Sequence, residues 1–479
     1  MKLDLTKFEL QNMVVTSTGL RTRRGLVSLK TPTASTTYVG AFSLRSPRTT
    51  DVWHYLFEQD AGGFVTVRVY TEEFFQIFSL ALGVMQQQPV ITWAEAYRQI
   101  MINSPAFGSA LYGLVGGGLM QGVKKTSSIN DDTTALDIPP GHIAAFGDRF
   151  GIALDDVAFF NDPPAANGLD PRTFVAQTTV APGGAIYDMF QGPDRGFYFF
   201  TSTGAYTLPQ DALGQGQSVQ GFLGNIPGVK TSKPRNARAS VAGVGVLQRD
   251  HLLLLPGTRV PLLSTGMRRK LSSVLEVDDL RQFGELFPHP HGFYVGFRGT
   301  RGVFADVDLV QKSVSWVTDS GGSALNLVGV LETRDGLALP VTTTNVLVFH
   351  QRGSSDAWSG NSMNAIAVGP IPVEADDYPV VRRVTISADN VAQGVSCAVD
   401  GTSSGSTTPT KSGDNIIGTD TWSSKPLVGR ATRATRLSLK VRSSAPTLEV
   451  QVVGADRAIN ASVDVELGGQ GRKRRDKAV

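Results

Sequence analysis

The sequence predicts an all-β chain, and three observations predict it. Glycine and proline are abundant, 52 and 25 of 479 residues, and they sit among Ser and Thr, which favours many turns and short strands over long helices. An apolar hairpin pattern recurs: a polar start, an apolar run, a polar or Gly turn, then a second apolar run. It reads DRFGIALDDVAFFNDP from Asp148, RGFYFFTSTGAYTLP from Arg195, DHLLLLPGTRVPLL from Asp250, HGFYVGFRGTRGVFADV from His291 and NVLVFHQRGSSDAW from Asn345. The starts lie 41 to 55 residues apart, close to the roughly 40–50 residues of one propeller blade. Strand pairs that cannot each bury a core must stack on one another. The expected architecture is therefore a β-propeller of six or seven blades, with additional N-terminal strands and a C-terminal β-hairpin or sandwich-like domain.

Taken in order, residues 1–99 read as N-terminal strands and a platform that would complete the propeller. Gly25 to Leu29, Thr37 to Leu44, Trp53 to Phe57 and Phe64 to Tyr70 have strand composition, the last with clean alternation. Thr92 to Arg98 reads as one or two helical turns, with Thr92 as N-cap and Glu95 closing a capping box. Ile100 to Asn103, Leu111 to Val115 and Leu119 to Val123 then form a further blade element, so the blades are expected over 100–369. Three prolines between Pro370 and Val381 mark a boundary to a C-terminal β domain over 370–468. Inside it, 401–426 is rich in Ser, Thr and Gly and reads as a mobile loop, and 469–479 as a basic tail.

Bulk chemistry narrows the function classes. Hydrophobic residues make up 41%, enough for a sizeable core. Charged residues are only 18%, below the usual value of about 25%, as expected for a surface covered in an assembly. The net charge of +3 excludes a generally basic nucleic-acid binder. One cysteine, Cys397, excludes an intrachain disulfide and a cysteine-built zinc site. The N-terminus has no signal-peptide pattern, and Phe74 to Met85 is too short an apolar run to span a membrane, which takes about 20 residues. No membrane span is expected.

Candidate chemistry is thin. Asp148, Asp162, Asp194, Asp250 and Asp306 stand near blade edges, where a carboxylate pair would serve a glycosidase. Asp at strand starts and turns ordinarily satisfies local backbone N–H groups, and that reading is preferred. His289 and His291, with Asp306 or Asp308, lack a third ligand at a diagnostic spacing, so they read as a turn. No phosphate loop and no nucleophile elbow occurs, so neither an enzyme nor a cofactor is expected. The alternative function is a glycan-binding or glycan-cleaving propeller, with Trp316, Trp358 and Tyr206 as its aromatic candidates.

Five segments carry a family resemblance by their order and spacing. They are NMVVTSTGLRTRRGLVSL, AYRQIMINSPAFGSALYGLVGGGLMQGV, GHIAAFGDRFGIALDDVAFFNDP, GGAIYDMFQGPDRGFYFFTSTGAYTLP and LQRDHLLLLPGTRVPLL. Together they resemble tail nozzle proteins, or tail tubular protein B, of short-tailed bacteriophages, over about residues 10 to 265 and onward to 360. The chain is shorter than many nozzles, and its C-terminal domain resembles the family only loosely. The resemblance implies a structural virion protein assembled in the host cytoplasm as a homo-hexameric ring below the adaptor ring. Such a ring extends the DNA channel, helps retain packaged DNA, and holds tail fibres or a plug or needle. On that reading Arg21, Arg23 and Arg24 are expected to meet the adaptor or a neighbouring ring. The acidic pairs Asp131–Asp132, Asp155–Asp156 and Asp278–Asp279 are expected to repel the passing double-stranded DNA, because phosphate contacts by Lys and Arg would arrest it.

Overall fold

The computed structural model describes residues 1–17, 19–45, 50–85, 91–96, 99–104, 108–115, 119–120, 128–130, 135–137, 142–147, 149–161, 173–209, 212, 222–229, 231, 233–263, 267, 271, 280, 283–297, 302–319, 325–349, 363–372, 377–388, 395–400, 431–440, 447–454, 458–459 and 462–472. Strands dominate, and among the described residues seven four-stranded antiparallel units follow one another as propeller blades, three of them separate sheets and the others parts of larger sheets. Blade 1 is built from Thr36–Arg45, Val52–Asp60, Phe64–Tyr70 and Gln76–Val84. Blade 2 begins at Thr92–Ala96, blade 3 at His142–Phe146, blade 4 at Ile186–Gln191, blade 5 at Ala237–Ser240 and blade 6 at Gly284–His289. In blades 2 to 6 each of these strands is followed by three more of its blade, and in blade 3 Ser128–Asn130 and Ala135–Asp137 extend the outer edge, Ser128–Asn130 pairing in parallel with Thr173–Val180. Blade 7 takes Leu327–Glu332, Ala338–Thr342 and Val346–Phe349 from late in the chain. Its fourth strand, Leu26–Lys30, comes from the N-terminus and pairs Leu26 with Phe349 and Val27 with Val348.

That exchange closes the ring, because the first blade must meet the last. Their innermost strands touch at Gly329 and Ala41, so tightly that a Cβ on Gly329 would lie 2.6 Å from the Ala41 nitrogen. Buried Tyr38, Leu56, Leu331, Leu339 and Val341 fill the seam. On its other face, blade 1 packs Val65, Val67 and Val69 against Ile91 and Ile102 of blade 2. This alternate burial of both faces explains why the blade sequences read as apolar runs.

A second unit is a sandwich woven from both ends of the chain. One sheet orders Lys2–Asp4, Ser462–Arg472, Asp377–Ala388, Ala458–Ile459, Gly19–Thr22 and Met13–Thr16, with Ala431–Lys440 also paired to Asp377–Ala388. The other is a continuation of blade 6. Glu9–Gln11 pairs in parallel with Ser313–Thr318 and antiparallel with Asn364–Pro370, beyond which lie Thr447–Val453 and Val395–Asp400. Leu3, Met13, Leu20, Ile459 and Val465 of the first sheet meet Leu10, Ala365, Leu448 and Val450 of the second in one core.

Several expectations change. The segment Thr92 to Ala96 is a strand, paired from Thr92↔Asn103 to Ala96↔Gln99, and not a helical turn. A full antiparallel ladder outweighs a local capping signal worth about 1 kcal/mol. The expected boundary at 99/100 falls inside blade 2, and that at 369/370 falls at the end of a sandwich strand. Residues 469–472 belong to the strand Ser462–Arg472, whereas the loop 401–426 and residues 473–479 lie outside the described residues.

Candidate functional site

The innermost strands of the blades surround a cavity of about 600 Å³ on the propeller axis. Its polar wall starts at Asp188, which interrupts the apolar strand Ile186–Gln191 of blade 4 and is buried. Its Oδ1 accepts the Arg235 backbone N–H at 2.8 Å and its Oδ2 that of Ala237 at 3.1 Å. Arg238 Nη1 donates to Oδ1 at 2.6 Å and also to the Ala237 carbonyl at 3.1 Å. Burial pushes the Asp188 carboxyl up from the ordinary carboxylate range, while the Arg238 charge and the N–H donors pull it back. One carboxylate thus anchors the start of the next blade.

Arg235 extends the network across the axis. Its backbone is left-handed, at φ 62°, a conformation uncommon for a non-glycine residue. The guanidinium donates to Glu285 Oε2 of blade 6 at 3.2 Å and to the Ile91 carbonyl at the entry of blade 2 at 3.1 Å, and it lies over the Phe287 ring. Two residues beyond Ile91, Trp93 stacks on Phe42 with centroids 4.1 Å apart, and Phe42 stacks on Tyr55 at 4.8 Å. Trp93 remains 36% exposed while lining the cavity. His142 lines it too. Burial, reinforced by the Arg238 and Arg235 charges, lowers its pKa to about 4, so its imidazole is neutral at pH 7. Arg45 holds the Glu332 carboxylate at the opposite wall.

A second cleft, about 480 Å³, lies between the sandwich and blade 6, and Arg21, Arg23 and Arg24 line it together. They do not share a role. Arg23 is buried, donating from Nε to Asn12 Oδ1 at 2.8 Å, from Nη1 to the Arg24 carbonyl at 3.0 Å and from Nη2 to the Thr318 carbonyl at 3.0 Å. Asn12, at φ 54°, also donates to Thr318 Oγ1 and the Asn364 carbonyl and accepts the Thr318 N–H. Arg23 is therefore part of the joint between sandwich and propeller. Arg24 is exposed and Arg21 half-buried.

Asp155 and Asp156 sit exposed on the turn between two strands of blade 3. Asp131, Asp132, Asp278 and Asp279 lie outside the described residues, as do Asp148, Asp162 and Trp358. Asp194 accepts the Gly196 N–H and the Tyr198 hydroxyl, and Asp250 contacts His251 at 2.8 Å. The hairpin of blade 6 brings His289 Nε2 to 3.2 Å from Asp306 Oδ1 and His291 Nδ1 to 3.8 Å from Asp308 Oδ2. Among the described residues no group of three or more His, Cys, Asp or Glu converges to hold a metal ion. Trp316 is wholly buried and donates to the Leu262 carbonyl, so it is a core residue and not a glycan platform. Sequence reasoning missed Asp188, Arg235, Arg238, His142 and Trp93. The one legible signal was a carboxylate inside the apolar run IYDMF, since an ionised group that is buried needs partners.

No helix among the described residues is long and apolar enough to cross a membrane. No family model matches the chain, and no curated protein does. Among solved structures, it is similar to a chain of the mitotic checkpoint complex at 8% identity and TM-score 0.36, covering 68% of this chain and 95% of that one. A putative 6-phosphogluconolactonase from Bacteroides uniformis matches at 12% identity and TM-score 0.37, covering 71% and 98%. PorZ, a surface component of the type-IX secretion system of Porphyromonas gingivalis, matches at 11% identity and TM-score 0.39, covering 73% of this chain and 43% of PorZ. At these scores the likenesses carry no argument; the propeller reading rests on strand pairing.

Proposed function

We propose that this chain is a structural ring subunit of the tail-nozzle class, assembling as a hexamer around a passage for double-stranded DNA. The observation that carries the reading is the way its family-like segments fall on the architecture. NMVVTSTGLRTRRGLVSL spans the sandwich edge and the strand that closes blade 7, and the other four segments fall in order on blades 2, 3, 4 and 5. Four of the five segments thus fall on successive blades, as order and spacing would require of a shared scaffold.

The geometry also constrains where DNA would run. A cavity of about 600 Å³ crossed by Arg235 does not admit a double helix, whose major groove alone is about 12 Å wide. The passage would lie between copies of the chain, with each propeller a solid wall element. A near-neutral wall suits a polyanion that must slide, because each phosphate neutralised by Lys or Arg adds affinity. The sandwich, locked to blade 6 by a continuous sheet, would transmit contacts with an adaptor ring without hinging.

The test is mass photometry with negative-stain imaging of the purified full chain, alone and mixed with the cognate adaptor ring. Six-fold rings with an open centre are expected. Particles that stay monomeric in both conditions would sink the reading.

A further inference from the structure

The axial cavity holds hydrogen-bonding capacity that the fold does not consume. Arg238 spends Nη1 on Asp188 and the Ala237 carbonyl, and its other guanidinium N–H groups have no protein partner among the described residues. The ring nitrogens of His142 likewise make no hydrogen bond among them. The acids nearby are committed, Asp188 to Arg238 and two backbone N–H groups, Glu285 to Arg235 and Glu332 to Arg45. Burial, with the Arg238 and Arg235 charges beside it, disfavours the charged form of His142. On another wall Trp93 is backed by the Phe42–Tyr55 stack, and its own surface remains open.

A guanidinium edge with unspent N–H groups is suited to a carboxylate, which it grips with two parallel bonds. A rigid, exposed indole is suited to the apolar C–H face of a ring. Cavities of 300–1,000 Å³ with a few placed polar groups are typical of small-molecule sites, and this one falls in that range. We infer that the axial cavity is a binding site for an acidic sugar, its carboxylate on Arg238 and its pyranose face on Trp93. Arg235 is a positioning residue, because its bond to the Ile91 carbonyl sets the strand that carries Trp93. The inference concerns one protomer and does not depend on ring assembly.

Isothermal titration of the full chain with D-glucuronate and with N-acetylneuraminate tests it, with D-glucose and acetate as controls and tryptophan fluorescence as a second readout. Saturable binding of at least one acidic sugar is expected, with D-glucose and acetate weaker by about tenfold or more, the loss of one good polar or stacking contact. Trp93→Leu and Arg238→Lys should each weaken binding by about tenfold, since Lys keeps the charge beside Asp188 but loses the fork. Should Arg238→Lys fold poorly by circular dichroism, Trp93→Phe replaces it, and fluorescence quenching by the acidic sugar should then shrink. Absence of saturation up to about 10 mM, a range of only weak affinity, overturns the inference. Equal binding of D-glucose or of acetate overturns the ligand class, and binding unchanged in the variants overturns the site.

Discussion

The axial cavity and the arginine cleft are built from similar parts and put them to different uses. Each turns on a non-glycine residue in left-handed backbone, Arg235 in one and Asn12 in the other. In the cleft, Arg23 and Asn12 stitch three separate segments through the carbonyls and side chains of Arg24, Thr318 and Asn364. In the cavity, Asp188 and Arg235 take on that stitching, which frees part of Arg238 and the face of Trp93. Three arginines within four residues of the chain are thus divided into a buried joint and a wet rim. Residues from all seven blades, scattered along the chain, converge on one cavity. Adjacency in sequence is a poor guide to adjacency in chemistry.

The comparison breaks most severely if Asp188 is removed. Asp188→Ala leaves Arg238 and two N–H groups without their acceptor in a buried place, and a loss of roughly 3–5 kcal/mol is expected in urea unfolding. Acid should act next. His142, and His54 buried between blades 1 and 7, have pKa values lowered from 6.5 to about 4 by burial. Between those values the unfolded chain binds the proton and the folded one does not. Stability should therefore be intact above pH 6.5 and fall as pH drops toward 4, by up to about 3 kcal/mol for each histidine. Unfolding curves at pH 7 and 4.5 should converge partly in His142→Gln, and an unchanged pH dependence in that variant would contradict the assignment.

The cleft should respond more mildly. Asn12→Ala removes an acceptor of the Arg23 and Thr318 N–H groups and is expected to cost about 2 kcal/mol, with the sandwich loosening from blade 6 in hydrogen exchange. Arg24→Ala, at the exposed rim, should change unfolding by no more than about 0.5 kcal/mol. If Arg24→Ala matched Asn12→Ala, the division of the cleft into joint and rim would be wrong.

Much of the fold was legible. The recurring hairpins announce blades because their outward and inward faces are both buried, which leaves unbroken apolar runs such as FYFF and LLLL. Strand Gln76–Val84 was harder to see, since its apolar composition suits a buried helix or a strand equally. Trp93 was misplaced because a capping pattern at Thr92 and Glu95 is local, while the ladder to Gln99–Ser104 that overrides it is not.

By itself the sequence determined the class: an all-β chain of stacked hairpins, low in charge, with a sandwich-like end. Those features follow from periodicity and composition, which act within one strand or one turn. Tertiary structure alone decided that the described strands make seven blades, that Leu26–Lys30 closes the last one, and that strands from the first and last parts of the sequence share one core. It alone also placed Trp93, His142, Asp188, Arg235 and Arg238 around one cavity. The physical reason is that ring closure and axial convergence are relations between residues tens to hundreds of positions apart. They are set by how sheets pack face to face, and no local pattern in the chain encodes them.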